Sequence, residues 1–195
     1  MSSKVDIFQI ILEHYKTLKD DESEKISFLD LLVFLGIPLV IVLINIVFCL
    51  TVSQELRSAL INFGAIFSAL LISVLVLVYD QRSKIYDRRE KLSPEQLPNF
   101  DALFTTLKEL YHNICYGILI SLLLVVFSLL QIVTVDLELV KLNLYVINPL
   151  VVFAICSTIL TTLMIVKRLH KLLINFDRFT KDNDSKQDEE DNSES

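Results

Sequence analysis

The sequence predicts an all-α membrane protein: a bundle of four transmembrane helices with amphipathic cytoplasmic helices and both termini in the cytoplasm. Two observations carry that prediction. Four runs of about 20 residues are nearly free of charge, at 31–50, 59–79, 114–135 and 144–166. Lys and Arg are then distributed very unevenly among the segments between them.

A helix rises ~1.5 Å per residue, so each run can cross a hydrocarbon core of ~30 Å. The first run begins after the acidic stretch Asp20-Asp21-Glu22 and lacks the short N-terminal apolar core of a cleaved signal, so it is expected to stay in the mature protein. Sixteen of the 18 basic residues lie in the N-terminal segment, the central loop and the C-terminal segment. Arg57 and Lys141 alone occupy the two short loops. The positive-inside rule puts the basic segments in the cytoplasm, and an even number of spans requires the termini to share that side.

The predicted membrane domain covers 1–179. Residues 180–195 hold seven acids, two lysines and no apolar residue, a composition that predicts a disordered acidic tail. Outside the spans, apolar residues recur at helical spacing in three places. Val5, Phe8, Ile11, Leu12, Tyr15 and Leu18 predict a helix over 5–18. Phe100, Leu103, Phe104, Leu107 and Leu110 predict one over 100–113. Leu169, Leu172, Leu173 and Phe176 predict one over 167–179. These helices either lie on the anionic inner leaflet or pack together below the spans; the acids Asp6, Glu13, Asp101 and Glu109 favour packing. The stripe at 100–110 is the candidate binding face for a cytoplasmic protein partner. The outer loops are too small for a receptor surface.

Within the spans, no charged residue falls at mid-depth, which argues against a proton- or sodium-coupled transporter. Ala65, Ala69 and Ser73, spaced by four, form a small-residue strip suited to close helix packing, in the chain or in a homo-oligomer; Asn45 and Asn62 are further candidate packing residues. Ser157, Thr158, Thr161 and Thr162 crowd one side of the fourth span. In an oligomer they would line a polar conduit, and within one chain they would serve inter-helix hydrogen bonding. Pro38, after Gly36, should bend the first span, and Asn148-Pro149 should cap and start the fourth.

Catalytic motifs are absent. The three glycines cannot build a phosphate loop or a nucleophile elbow, and His14, His112 and His170 have no metal-ligand spacing. The chain reads as non-enzymatic, without cofactor or metal, with the lipid bilayer as partner and no direct nucleic-acid binding.

Asp30-Leu31-Leu32, Gly36-Ile37-Pro38, Ala59-Leu60-Ile61 and the apolar run ending in Tyr79-Asp80 together resemble small four-span bacterial inner-membrane proteins. Some of those proteins belong to phage-defence loci, among them retron-linked, abortive-infection and CRISPR-accessory membrane proteins. The resemblance covers roughly residues 26–91, about a third of the chain. It carries over no functional residue. It implies a membrane-perturbing effector controlled by a cytoplasmic partner; a membrane anchor for a soluble protein and a small channel or transporter subunit are the alternatives.

Overall fold

The computed structural model describes residues 7–17, 32–88 and 97–193, and no strand occurs among them. Helix α1 covers Ile7–Lys16. Helix α2, Leu32–Val47, opens with a π-helical turn over Leu32–Gly36 and continues as α-helix over Ile37–Val47. Helix α3 covers Gln54–Arg88 and α4 covers Leu97–Asp136. A short turn at Val140–Leu142 and a π-helical turn at Asn143–Ile147 lead into α5, Asn148–Ser193. Three helices are long and apolar enough to cross a membrane, within Gln54–Asp87, Leu97–Asp136 and Val140–Asp177, and Leu32–Val47 is a shorter apolar helix. The chain is a multi-pass membrane protein.

Both proline expectations resolve into one device. Pro38 and Pro149 each follow a five-residue π turn by two positions. A proline ring collides with the carbonyl four residues earlier in a regular α-helix. Here those carbonyls belong to Phe34 and Tyr145, inside the wider π turns. Pro38 and Pro149 therefore each stand in the first turn of an α segment, as the second residue of Ile37–Val47 and of α5, with a π-helical lead-in before each.

The C-terminal ends of α2 and α4 also share a solution. Cys49 and Glu138 take φ of 49° and 55°. Leu50 N–H donates to the Asn45 carbonyl and Cys49 N–H to that of Ile46; Leu139 and Glu138 repeat the pattern on Thr134 and Val135. These are Schellman closures with a non-glycine residue in the left-handed position, a conformation that costs about 1–2 kcal/mol.

Helix α4 is the central element. It packs against α3 on one side and α5 on the other, α2 packs on α5, and α1 packs on α4. Leu71 and Val78 of α3, Leu107, Leu110 and Ile114 of α4, and Ile165 of α5 share one buried cluster. Leu60, Tyr116, Ile120, Leu124, Val151 and Ala154 form a second. Gly64 lets α3 approach α4 closely: a Cβ there would stand 3.0 Å from the Ser121 carbonyl oxygen and 2.7 Å from Val125 Cγ2.

Four sequence expectations change. Ala65, Ala69 and Ser73 lie on an exposed face of α3, as does Asn62, and the inward small residues are Gly64 and Ser68. Within one chain the packed strip keeps the predicted spacing of four at a phase one residue away, because α3 is apolar all round and gives no contrast to set the phase. The stripe Phe100, Leu103, Leu107 and Leu110 is buried within the chain, with Phe104 half-buried beside it. Its partners are Ile85 of α3 and Leu172 of α5, so no free docking face remains there. Helix α1 does not join that lower bundle. Its Ile10 and Ile11 pack on the cluster holding Tyr116 and Ile120, beside the predicted third span. Finally, the backbone of α5 stays helical through Ser193, where a disordered tail was expected. The segment has neither glycine nor proline to stop a helix already propagating from the span.

Candidate functional site

Along α4, Asn113, Ser121, Ser128, Gln131 and Thr134 are all buried, at spacings that keep them on one face. Helix α5 runs antiparallel and presents Asn148, Ser157, Thr158, Thr161 and Arg168, also buried. The register is fixed at several levels. Gln131 bonds Asn148, a Cβ on Gly117 would meet Thr161 and Ile165, and Glu109 pairs with Arg168. Asn175 Nδ2 donates to Thr106 Oγ1 at 3.2 Å further down. At ~1.5 Å per residue, the face from Asn113 to Thr134 extends about 30 Å, the thickness of a hydrocarbon core. Buried polar residues therefore recur along the α4–α5 pairing over a bilayer's length, forming a polar seam interleaved with the apolar cluster of Ile120, Leu124, Val151 and Ala154.

At the end of the seam where α4 finishes and α5 begins lies an amide knot. Asn148 Nδ2 donates to Asn45 Oδ1 at 2.8 Å and to the Leu50 carbonyl at 2.5 Å. Asn45 Nδ2 donates to the same carbonyl at 3.2 Å, and Gln131 Nε2 donates to Asn148 Oδ1 at 2.9 Å. The knot joins α2, α4, α5 and the loop after α2. Gln131 Oε1 and Ser128 Oγ, buried beside it, have no hydrogen-bond partner. An unmet buried polar group costs about 1–3 kcal/mol, so the seam is less well satisfied than an ordinary helix interface.

The middle is closed by hydroxyls turned back on their own helix. Thr158, Thr161 and Thr162 donate to the carbonyls of Ala154, Ser157 and Thr158 at 2.7–2.8 Å. Ser157, Thr158 and Thr161 are buried and Thr162 is half-buried, so these four line an interface within one chain. No hydroxyl among these threonines donates across the seam, and the two helices could separate here without losing a bond of theirs.

At the opposite end lies a latch on α1. The His14 ring stacks on Tyr116 with centroids 3.9 Å apart and planes 4° from parallel. His14 Nδ1 and Asn113 Oδ1 are 2.9 Å apart. The Thr17 hydroxyl reaches the same Oδ1 at 2.9 Å and the His14 carbonyl at 2.7 Å. Arg168 Nη2 donates to the Thr17 carbonyl at 2.7 Å while Nη1 pairs with Glu109 Oε2 at 2.7 Å. One guanidinium thus ties the end of α1 to both α4 and α5. Burial pushes the His14 imidazole down to about 4, against a smaller opposing effect of the Asn113 bond. The folded chain therefore holds His14 neutral. Asn113 Nδ2 is buried without a partner.

Of the residues singled out in the sequence, the structure brings Asn45, Ser157, Thr158 and Thr161 to the seam and leaves Asn62, Ala65, Ala69 and Ser73 outside it. His14, Asn113, Gln131, Asn148, Glu109 and Arg168 were not foreseen as a group. Gln131, a lone amide inside a long apolar run, was the available signal.

Comparison with protein-family models, with curated proteins and with solved structures finds no match to this chain.

Proposed function

We propose that this chain is a four-span protein of a bacterial inner membrane, with both termini cytoplasmic, that perturbs the membrane as an effector in phage defence when its resting state is released. The observation that carries the reading is the bilayer-length polar seam between α4 and α5. Closed, it is an interface with unmet polar atoms at Ser128 and Gln131. Parted, it would offer water a polar path across the hydrocarbon, a setting in which polar groups are tolerated at that depth. The latch on α1 supplies the resting state, and a cytoplasmic partner that captures α1 would release it. The scaffold reading loses support because its docking stripe at 100–110 is already occupied by α3 and α5.

Two measurements test this reading. Reporter fusions after Glu90 and at the C-terminus should read cytoplasmic, and a fusion at Leu137 external; a cytoplasmic signal at Leu137 would overturn the four-span topology. For the activity, a potential-sensitive dye should report depolarisation before growth stops when the protein is overproduced or the host is challenged with phage. Ser128→Ala with Gln131→Met dries the seam and should blunt depolarisation at an equal level of inserted protein. An intact potential under both conditions would return the choice to the scaffold.

A further inference from the structure

A cleft of about 200 Å³ opens at the inner rim of the bundle, between the start of α2 and the lower part of α5. Val33 and Phe34, on the π turn of α2, face Leu160, Leu163 and Met164 of α5. Val33 and Leu163 are exposed, so on a membrane protein this side of the cleft opens toward lipid. Lys167 closes its lower end, one residue beyond the predicted span. Arg168 also lines the cleft, but its guanidinium is engaged by Glu109 and by the Thr17 carbonyl. Lys167 is exposed and has no acid partner among the described residues.

We propose that this cleft is a binding site for one anionic phospholipid, its acyl chain between α2 and α5 and its phosphate on Lys167. The occupant must be amphiphilic, because the cleft joins an apolar floor to a cationic rim. It must enter sideways from the bilayer, because the apolar side is the open one. It must be an anion, because Lys167 stands at headgroup depth with no counter-charge among the described residues, where each cation strengthens attraction to anionic lipid about fivefold. The widened π turn imposed by Pro38 shapes the α2 wall. The site stands on the membrane placement of the helices and is independent of the effector reading.

The native chain has no tryptophan, so Phe34→Trp places a single tryptophan in the cleft, excited selectively at wavelengths the tyrosines do not absorb. The full chain would be placed in phosphatidylcholine vesicles in which a fraction of lipid is replaced by brominated phosphatidylglycerol or by brominated phosphatidylcholine. Brominated phosphatidylglycerol should quench Trp emission with about fivefold higher apparent association. Lys167→Gln should abolish the preference, and Lys141→Gln, at the opposite end of the bundle, should leave it intact. If Phe34→Trp lowers helix content, Leu163→Trp on the facing wall gives the same readout. Equal quenching by the two lipids, or a preference that survives Lys167→Gln, would overturn the proposal.

Discussion

Replacing Arg168 with methionine is expected to free α1 and to cost about 3 kcal/mol of stability. The two side chains of the Arg168–Glu109 pair are 10% and 21% exposed, so removing one leaves a largely desolvated charge behind. Breaking a buried pair from one side costs about 3–5 kcal/mol, and the water that still reaches Glu109 sets the expectation at the low end. The Thr17 carbonyl loses its donor in the same step. Hydrogen exchange in detergent should show the amides of Ile7–Lys16 losing protection while those of α4 keep it. Removing both charges, with Glu109→Met added, should recover much of the loss. Acid should act on the same latch. His14 has a folded value of about 4 against an ordinary 6.5, so the unfolded state binds more protons between those values. Its contribution is complete above pH 6.5 and is lost as pH falls toward 4. His14→Gln should flatten that part of the stability profile. Unchanged exchange in α1 after Arg168→Met would show that the guanidinium is not the tie.

A leucine at Gly64 should separate α3 from α4. Even a methyl there would stand 3.0 Å from the Ser121 carbonyl oxygen and 2.7 Å from Val125 Cγ2. The first is helix backbone and the second belongs to a β-branched side chain, so neither yields easily. Overpacking costs about 1–3 kcal/mol, and Gly64→Leu should reach the top of that range. Gly117→Ala is the informative contrast. Its nearest atom is Leu71 Cδ1 at 2.9 Å, the mobile end of a side chain, so the loss should stay under about 1 kcal/mol. Ala69→Leu, on the exposed face, should change the stability of the single chain by less than about 0.5 kcal/mol. Denaturant unfolding of the three variants in one detergent gives the order. A larger loss for Ala69→Leu than for Gly64→Leu would show that the exposed strip of α3 is an interface.

The sequence was most legible where a large free-energy difference acts on many residues at once. Long apolar runs bounded by charge marked the three long helices, and an i,i+4 ion pair, Asp80–Lys84 at 2.7 Å, stands where α3 extends past its apolar run. The stripe at 100–110 was legible as a buried face. Whether its cover came from this chain or another was not, since Ile85 and Leu172 lie at unrelated distances along the sequence. The seam and the latch were hidden for the same reason. His14 meets Asn113 across 99 positions, and Thr17 meets Arg168 across 151. A polar residue in a span announces that it needs a partner, but only the packing names that partner. The phase difference at Ala65, Ala69 and Ser73 has a different origin: in α3 a helix period is visible and its zero is not.

The amide knot also bears on how such a chain is made. Asn45 finds Asn148 only 103 residues later. Synthesis from the N-terminus delivers Leu32–Val47 to the bilayer long before α5 has left the ribosome. At 16 residues it is ~24 Å long, shorter than the hydrocarbon core, and although Asn45 Nδ2 can reach the nearby Leu50 carbonyl, its Oδ1 still lacks the Asn148 donor. Its early hold on the membrane is therefore provisional. The three long helices can each insert as they emerge, but α2 is secured by α5, and the finished arrangement is a product of the whole chain.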